Sequence, residues 1–172
     1  MLLCQLITDM LKLQEGIRVV LWYTIQISCS DMQRYLIDTN IFIYWATDID
    51  LINNDVMMLL NEPDALMYIS SASVMEMVVG YNNKSFDVRR WKSAEEMVRS
   101  IEDEYFIQIL PFQREHLQTY ARLRANVAQG HKDPFDHMII SHAITEHIPL
   151  ISSDRRFPFY RRQGLRLIYN EK

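Results

Sequence analysis

The sequence predicts an α/β fold built on a mainly parallel sheet. Short apolar runs alternate with longer stretches of helical periodicity, the pattern of a chain that joins parallel strands through helical crossovers. Three of those runs, in LIDTN, YISSAS and LISSD, pass straight into small hydroxyl, amide or carboxylate residues suited to turns and helix N-caps. No internal repeat, low-complexity tract or Pro/Gly/Ser-rich linker divides the chain after residue 32, so one unit is expected there.

In chain order, strands are expected at residues 35–37, 67–69, 106–110, 149–151 and 167–169, each a short apolar run. Helices are expected between them at residues 51–60, 72–79, 87–101, 114–126 and 134–147. In the fourth of these, Leu117, Tyr120 and Ala121 recur at i, i+3 and i+4 as an inward stripe, and the polar face carries Arg122 and Arg124. The last opens on Asp133 and Pro134, which suit an N-cap and a first helical residue. An open α/β sheet gathers its strand carboxyl ends along one edge and binds ligands in the crevice outside it, so the polar strand ends should meet there.

Composition sets the outer limits. The chain has 172 residues, 49% apolar and 23% charged, which suits one globular domain, or one domain with an appendage. With 18 basic and 22 acidic residues the net charge is −4, so this is no polycationic nucleic-acid coat, and a polyanionic substrate would need metal ions or local basic patches. There are four glycines and neither a G-x-G-x-x-G nor a G-x-x-x-x-G-K, which removes the dinucleotide fingerprint and the P-loop.

Residues 1–31 read differently from the rest. Both cysteines, Cys4 and Cys29, lie there, so no disulfide framework or Cys-based zinc site is available from Met32 onward. The apolar stretch 19–27 is too short to span a bilayer and is interrupted by Thr24 and Gln26. Asp9 and Glu15 sit where a secretory leader needs a basic region, and no small-residue cleavage site follows, so no membrane association and a cytoplasmic location are expected. Met32 opens the run MQRYLIDTNIFIY, within two residues of a strand, which makes residues 1–31 an extension ahead of a domain spanning 32–172 and Met32 a candidate true start. The competing reading is a genuine N-terminal helix, since Leu2, Leu6, Met10 and Leu13 recur at helical spacing.

Four carboxylates stand out. Asp38 follows the first strand, where alone it reads as an N-cap or turn residue ahead of the apolar 41–46 segment. Glu76 sits in ASVMEMVVG, a short apolar helix in which a charge is expensive to bury without a partner. Asp136 falls at the third position of its helix, where the helix dipole favours an acid in any case. Asp154 directly follows the LISS strand end, as a turn aspartate would. Taken jointly they mean more, because the predicted sheet would deliver all four to one edge from separated parts of the chain. Carboxylates crowded into one pocket repel, and a divalent cation relieves the repulsion. An all-oxygen pocket suits Mg²⁺ or Mn²⁺. Such an ion can polarise a phosphoryl oxygen and lower the pKa of an attacking water, the chemistry of phosphodiester hydrolysis.

The motifs YLIDTNIFIY, ISSASVMEMVVG, HKDPFDHMIISHA and PLISSDRRF, in this order and spacing, resemble those of the PIN-domain nucleases, and within them the toxin ribonucleases of VapBC-type toxin–antitoxin pairs. The resemblance covers residues 35 to about 169. It implies a three-layer α/β/α sandwich, Mg²⁺- or Mn²⁺-dependent cleavage of RNA, a homodimer, and inhibition by a cognate antitoxin. It places the family's acidic quartet, both catalytic and metal-binding, on Asp38, Glu76, Asp136 and Asp154, with Thr39, Asn40 and Ser152 as supporting polar or substrate-binding positions. Two departures are visible: His137 stands where many relatives carry arginine, and residues 1–31 have no counterpart in the pattern.

Other residues carry weaker signals. His137, His142 and His147 are spaced five apart, which does not put two ligands on one helical face, so a zinc site is not expected. His131 and His137 read as solvated or capping residues, or as substrate contacts at a pocket rim. Arg155, Arg156, Arg161, Arg162 and Arg166 form a basic stretch that suits phosphate contacts or a solvated face equally. Arg89, Arg90, Lys92 and Trp91 suggest a basic rim with a stacking aromatic, or a helix's outer face. Methionines such as Met57, Met58, Met75 and Met77 read chiefly as core filler, with some available to line an antitoxin groove. Competing classes fare worse: a haloacid-dehalogenase-like phosphatase needs an aspartate at position 40, which is asparagine, and a phosphoryl-accepting receiver domain needs paired acids earlier in the chain and a lysine ending a late strand. A PIN-like protein without a toxin role, either an RNA-processing nuclease or a non-catalytic binding module, remains the alternative.

Overall fold

The computed structural model describes residues 33–87, 89–125 and 130–171. The expectations for residues 1–31, their helical spacing and both cysteines, lie outside the described residues. The helix expected to reach Asn126 ends at Arg122, because Leu123 turns to extended backbone.

Five strands, β1 (Gln33–Ile37), β2 (Ala65–Ser70), β3 (Gln108–Leu110), β4 (Leu150–Ser152) and β5 (Leu167–Tyr169), form one sheet in the order β3-β2-β1-β4-β5. Pairing is parallel, with Leu36 opposite Leu150, Tyr68 opposite Gln108 and Ile151 opposite Ile168. Helices α1 (Thr39–Thr47), α2 (Asn54–Leu60), α3 (Ser71–Asn82), α4 (Ala94–Asp103), α5 (Arg114–Arg122) and α6 (Pro134–Glu146) connect them. The strands are apolar on both faces because both faces are covered. Tyr35, Ile37, Ile69 and Ile151 join the core built with Ile41, Phe42, Val56, Met77, Met97 and Ile101 on one side. Leu36 and Leu150 point to the other, into Ile139, Ile140, Ala143, Phe157 and Tyr160. This is the α/β/α sandwich that the resemblance implies.

The strand order decides where chemistry can happen. From β1 the chain moves outward through β2 to β3, then returns to β4 on the other side of β1. The carboxyl ends of β1 and β4 therefore flank the point at which the topology reverses, the position where open parallel sheets leave a crevice.

Several local expectations are corrected. Helix α1 was not among the expected helices; residues 41–46 are uniformly apolar and show no helical period, and the Asp38 cap ahead of them sets the helix. The helix expected at 51–60 is a 3-10 turn (Ile49–Leu51) followed by α2, which Asn53 restarts by accepting the Val56 N–H. The helix expected from residue 87 begins at Ala94, because Asp87 folds a turn onto the Arg89 N–H and Ser93 caps the helix through Glu96 N–H. Trp91 is no exposed stacking platform: it is 4% exposed, packs on Phe42 and Phe86, and donates its indole N–H to Ser100 Oγ at 2.9 Å. On α5 the inward residues are His116, Thr119 and Tyr120: of the expected stripe only Tyr120 turns inward, Leu117 being 57% exposed and Ala121 exposed, and the buried His116 takes their place. Of the methionines, Met77 is buried, whereas Met58 and Met75 are exposed. A 3-10 helix (Phe157–Gln163), also not expected, buries Phe157 and Tyr160 under α6.

Candidate active site

Asp38 is the first residue past β1 and caps α1, accepting the Thr39 N–H on Oδ1 at 2.8 Å. Its Oδ2 accepts from Ser152 Oγ at 2.6 Å, and Ser152, the last residue of β4, in turn accepts the Asp154 N–H at 3.0 Å. One serine thus ties together the ends of the two strands at the reversal point. The Thr39 hydroxyl donates to Glu76 Oε2 from the neighbouring α3, where Glu76 is half-buried. Asp136 lies in the first turn of α6, which runs back against the strands and brings its N-terminus to the same edge. Arg156 closes the set, reaching Asp154 Oδ2 at 2.8 Å and Asp136 Oδ2 at 3.6 Å. All four predicted acids are therefore brought to one place, with Thr39 and Ser152 as hydrogen-bonding supports. Asn40 lines the adjoining cleft of about 490 Å³ together with Thr39, Glu76, Asp133, Tyr44, Phe86 and Phe135.

The electrostatics are those of a site in which the acids outweigh the Arg156 guanidinium. Burial, then the neighbouring Asp136 and Glu76 charges, push Asp38 up to about 8 against two hydrogen bonds that oppose the shift. Burial, followed by repulsion from Asp133, Asp154 and Glu76, pushes Asp136 up to about 7. Glu76 is raised, chiefly by burial, despite the Thr39 bond. Asp154 behaves oppositely: burial would raise it, but the hydrogen bonds from Arg156 more than offset this and hold it below the usual carboxylate range. Asp136 Oδ1 and Glu76 Oε1 accept no hydrogen bond among the described residues, and neither is sealed from solvent. Crowded carboxylates, three of them pushed up toward the neutral form, with Glu76 lining the cleft, are the donor set that a hard divalent cation fits.

Three contributors were not assigned to the site from sequence. Asp133 was read only as an N-cap, and it does accept the Phe135 N–H, but its charge also bears on Glu76 and Asp136. The spacing D-P-F-D held that signal, since N-cap and third helical position share one side of the first turn. Arg156 was one of five arginines offered for phosphate contact, and among the described residues it is the one of the five that pairs with the acids. Arg161 and Arg166 instead donate to the backbone carbonyls of Leu167 and His147. His131 is neither solvated nor at a rim: it is fully buried, with Nε2 at 2.7 Å from Asp136 Oδ2 and Nδ1 at 2.8 Å from Tyr160 Oη. His137 is likewise buried, its Nε2 at 2.9 Å from the same tyrosine oxygen. Burial lowers both imidazoles below the usual histidine value, which favours the neutral rings.

A second polar cluster joins α5 to α6, with His116, His142 and Glu146 ligand atoms within 4.8 Å of one another. His116 Nδ1 accepts the Gln113 N–H at 2.7 Å, so its Nε2 carries the proton shared with Glu146 at 2.8 Å. A cation at that nitrogen would have to expel this proton while Nδ1 is already engaged. The cluster reads instead as hydrogen-bonded packing between two helices, with His142 held neutral by burial, to about 4, and bonded to Ser70.

A parallel α/β/α sandwich with acids converging at its reversal point defines an acidic-site class of α/β proteins. The PIN domain family profile matches residues 35–163, three quarters of the chain, and the chain belongs to that family. Its fold is similar to VapBC2 from Rickettsia felis bound to a DNA fragment from its promoter, at 22% identity and a TM-score of 0.60, over 81% of this chain and 100% of that one. DNA-bound VapBC from Salmonella typhimurium is similar at 22% identity and TM-score 0.59, over 80% and 98%. VapBC-5 from Mycobacterium tuberculosis, a member of the VapBC family of toxin–antitoxin systems, is similar at 21% and 0.52, over 79% and 98%. No curated protein sequence matches the chain. No helix among the described residues is long and apolar enough to cross a membrane.

Proposed function

We propose that the chain is a Mg²⁺- or Mn²⁺-dependent endoribonuclease that hydrolyses RNA phosphodiester bonds, acting as the toxin of a toxin–antitoxin pair. The observation that carries this is the convergence of Asp38, Glu76, Asp136 and Asp154 at the β1/β4 reversal point, with Asp38 and Asp136 pushed far above ordinary carboxylate values. Asp38, Glu76 and Asp136 would hold the cation, with Asp154 beside them. When bound, it supplies positive charge at a phosphoryl oxygen and acidifies a water for in-line attack. The chain's own part is positioning: Thr39 and Ser152 fix the Asp38 carboxylate, the Thr39 hydroxyl fixes Glu76, and Arg156 turns Asp154 and places a guanidinium where an RNA phosphate would lie. Thr39 and Asn40 line the cleft that would receive the adjoining nucleotide. Products would carry 5′-phosphate and 3′-hydroxyl ends.

The same reading carries a cognate antitoxin as partner, a homodimer, a cytoplasmic site of action, and a domain starting at Met32. In support, the relatives similar in fold are VapBC proteins, β1 begins at Gln33 and the family match at Tyr35. The test is cleavage of labelled RNA by the purified chain with Mg²⁺, Mn²⁺ or a chelator, beside Asp38→Asn, Glu76→Gln and Asp136→Asn. Cation-dependent cleavage lost in all three folded variants supports the assignment; cleavage that persists in them, or under chelation, refutes it.

A further inference from the structure

We propose that His131 is a positioning residue for Asp136, holding its Nε2 proton toward that carboxylate while its Nδ1 is engaged by Tyr160. This rests on the reading of Asp136 as a cation ligand, and it concerns how that ligand is held.

An aspartate at the third position of a helix ordinarily turns back to the N-cap backbone or answers the helix dipole. Asp136 forms no such bond to Asp133 among the described residues. Its Oδ2 is drawn instead to His131 Nε2 at 2.7 Å, and more distantly to Arg156, while Oδ1 is left open. His131 comes from the segment just before α6 and is fully buried, so its ring has no freedom to follow a wandering carboxylate.

Donor and acceptor bookkeeping fixes the rest. With Asp136 ionised, Oδ2 can only accept, so His131 must carry its proton on Nε2. Its Nδ1 is then an acceptor and takes the Tyr160 hydroxyl proton at 2.8 Å. The tyrosine oxygen in turn accepts from His137 Nε2–H at 2.9 Å. With Asp136 ionised, the bonds linking His137, Tyr160, His131 and Asp136 run in one sense, with both imidazoles neutral. A carboxylate–histidine arrangement of this kind orients a ligand and is worth one to two orders of magnitude in metal affinity, roughly 10–100-fold. The phenol that answers His131 Nδ1 sits on the 3-10 helix Phe157–Gln163, so the residues after Asp154 hold the site from beneath as well as lining it.

The test combines a metal-free spectrum with a metal titration on the full chain. In long-range ¹H–¹⁵N spectra of the metal-free protein at alkaline pH, His131 is expected as the Nε2–H tautomer with a slowly exchanging ring proton. Tyr160→Phe should keep that tautomer, which Asp136 sets, and shift only the His131 Nδ1 resonance as its hydrogen bond is lost. In Mn²⁺ titrations, His131→Ala should weaken binding roughly 10-fold or more, and His131→Gln, whose amide can donate from the same position, should recover most of it. An Nδ1–H tautomer for His131 overturns the proposal, as does Mn²⁺ affinity unchanged in His131→Ala, or equal loss in folded His131→Ala and His131→Gln. If the wild type binds no Mn²⁺, the cation reading fails, and the His131 tautomer alone then decides whether Asp136 is held as described.

Discussion

The Asp38→Asn substitution separates the needs of the site from those of the fold. Asp38 is 2% exposed and its carboxyl is pushed up to about 8, whereas the unfolded chain ionises near 3.8. Because the folded value is the higher one, the folded protein binds the proton more tightly. The stability associated with this group is complete below the unfolded value and is lost as pH climbs toward about 8. Each pH unit in that window removes up to about 1.4 kcal/mol, and discounting by half for water penetration leaves a penalty of ~2–3 kcal/mol at neutral pH. Asparagine carries no charge to desolvate, can still accept the Thr39 N–H, and can donate to Ser152 Oγ in place of accepting from it. In chelator at mildly alkaline pH the variant should therefore melt ~5–10 °C above wild type, with the gap closing as the solution is acidified. On adding Mn²⁺ the order should reverse, since the wild type gains stability by binding and the variant cannot. Differential scanning calorimetry across pH, with and without Mn²⁺, reads both effects. A variant that melts below wild type throughout the chelator series, or one that keeps the full Mn²⁺-induced rise, would show the electrostatic reasoning to be wrong.

Arg156→Ala removes the positive charge that bridges Asp154 and Asp136, so Mn²⁺ affinity should rise ~5-fold, equivalent to ~1 kcal/mol, while binding of a non-cleaved RNA analogue weakens; calorimetric titration checks both. Trp91→Phe loses the bond to Ser100 and part of the packing on Phe42, and should cost ~1–3 kcal/mol in denaturant unfolding without changing RNA cleavage per folded molecule. Phe106 holds φ at 54° with its ring 83% exposed, so Phe106→Asn should stabilise by ~0.5–1 kcal/mol; a fall in unfolding midpoint would contradict this.

Much of the sheet was legible in the chain because strands covered on both faces are short, uninterrupted apolar runs, and each of the five expected runs overlaps an observed strand. The acids were legible for a related reason: Asp38 and Asp154 sit just past β1 and β4, so knowing the strands nearly places the charges. What stayed hidden depends on contacts across long separations. Tyr160 meets His131 across 29 residues, and nothing in GHKDPFDH announces that partner. Helix α1 was masked by its own hydrophobicity, since a helix apolar on every side has no period to read. Trp91 looked exposed because basic residues surround it, yet buried aromatic neighbours and Ser100 decided its place.

The most direct measurement is anomalous diffraction from crystals of the full chain soaked in Mn²⁺. One strong peak within about 2–2.5 Å of carboxylate oxygens of Asp38, Glu76 and Asp136, with Asp154 beside it, is the expected result. A peak among His116, His142 and Glu146 instead, or none beside Asp38 under conditions that support RNA cleavage, would contradict a cation held by acids at the β1/β4 reversal point.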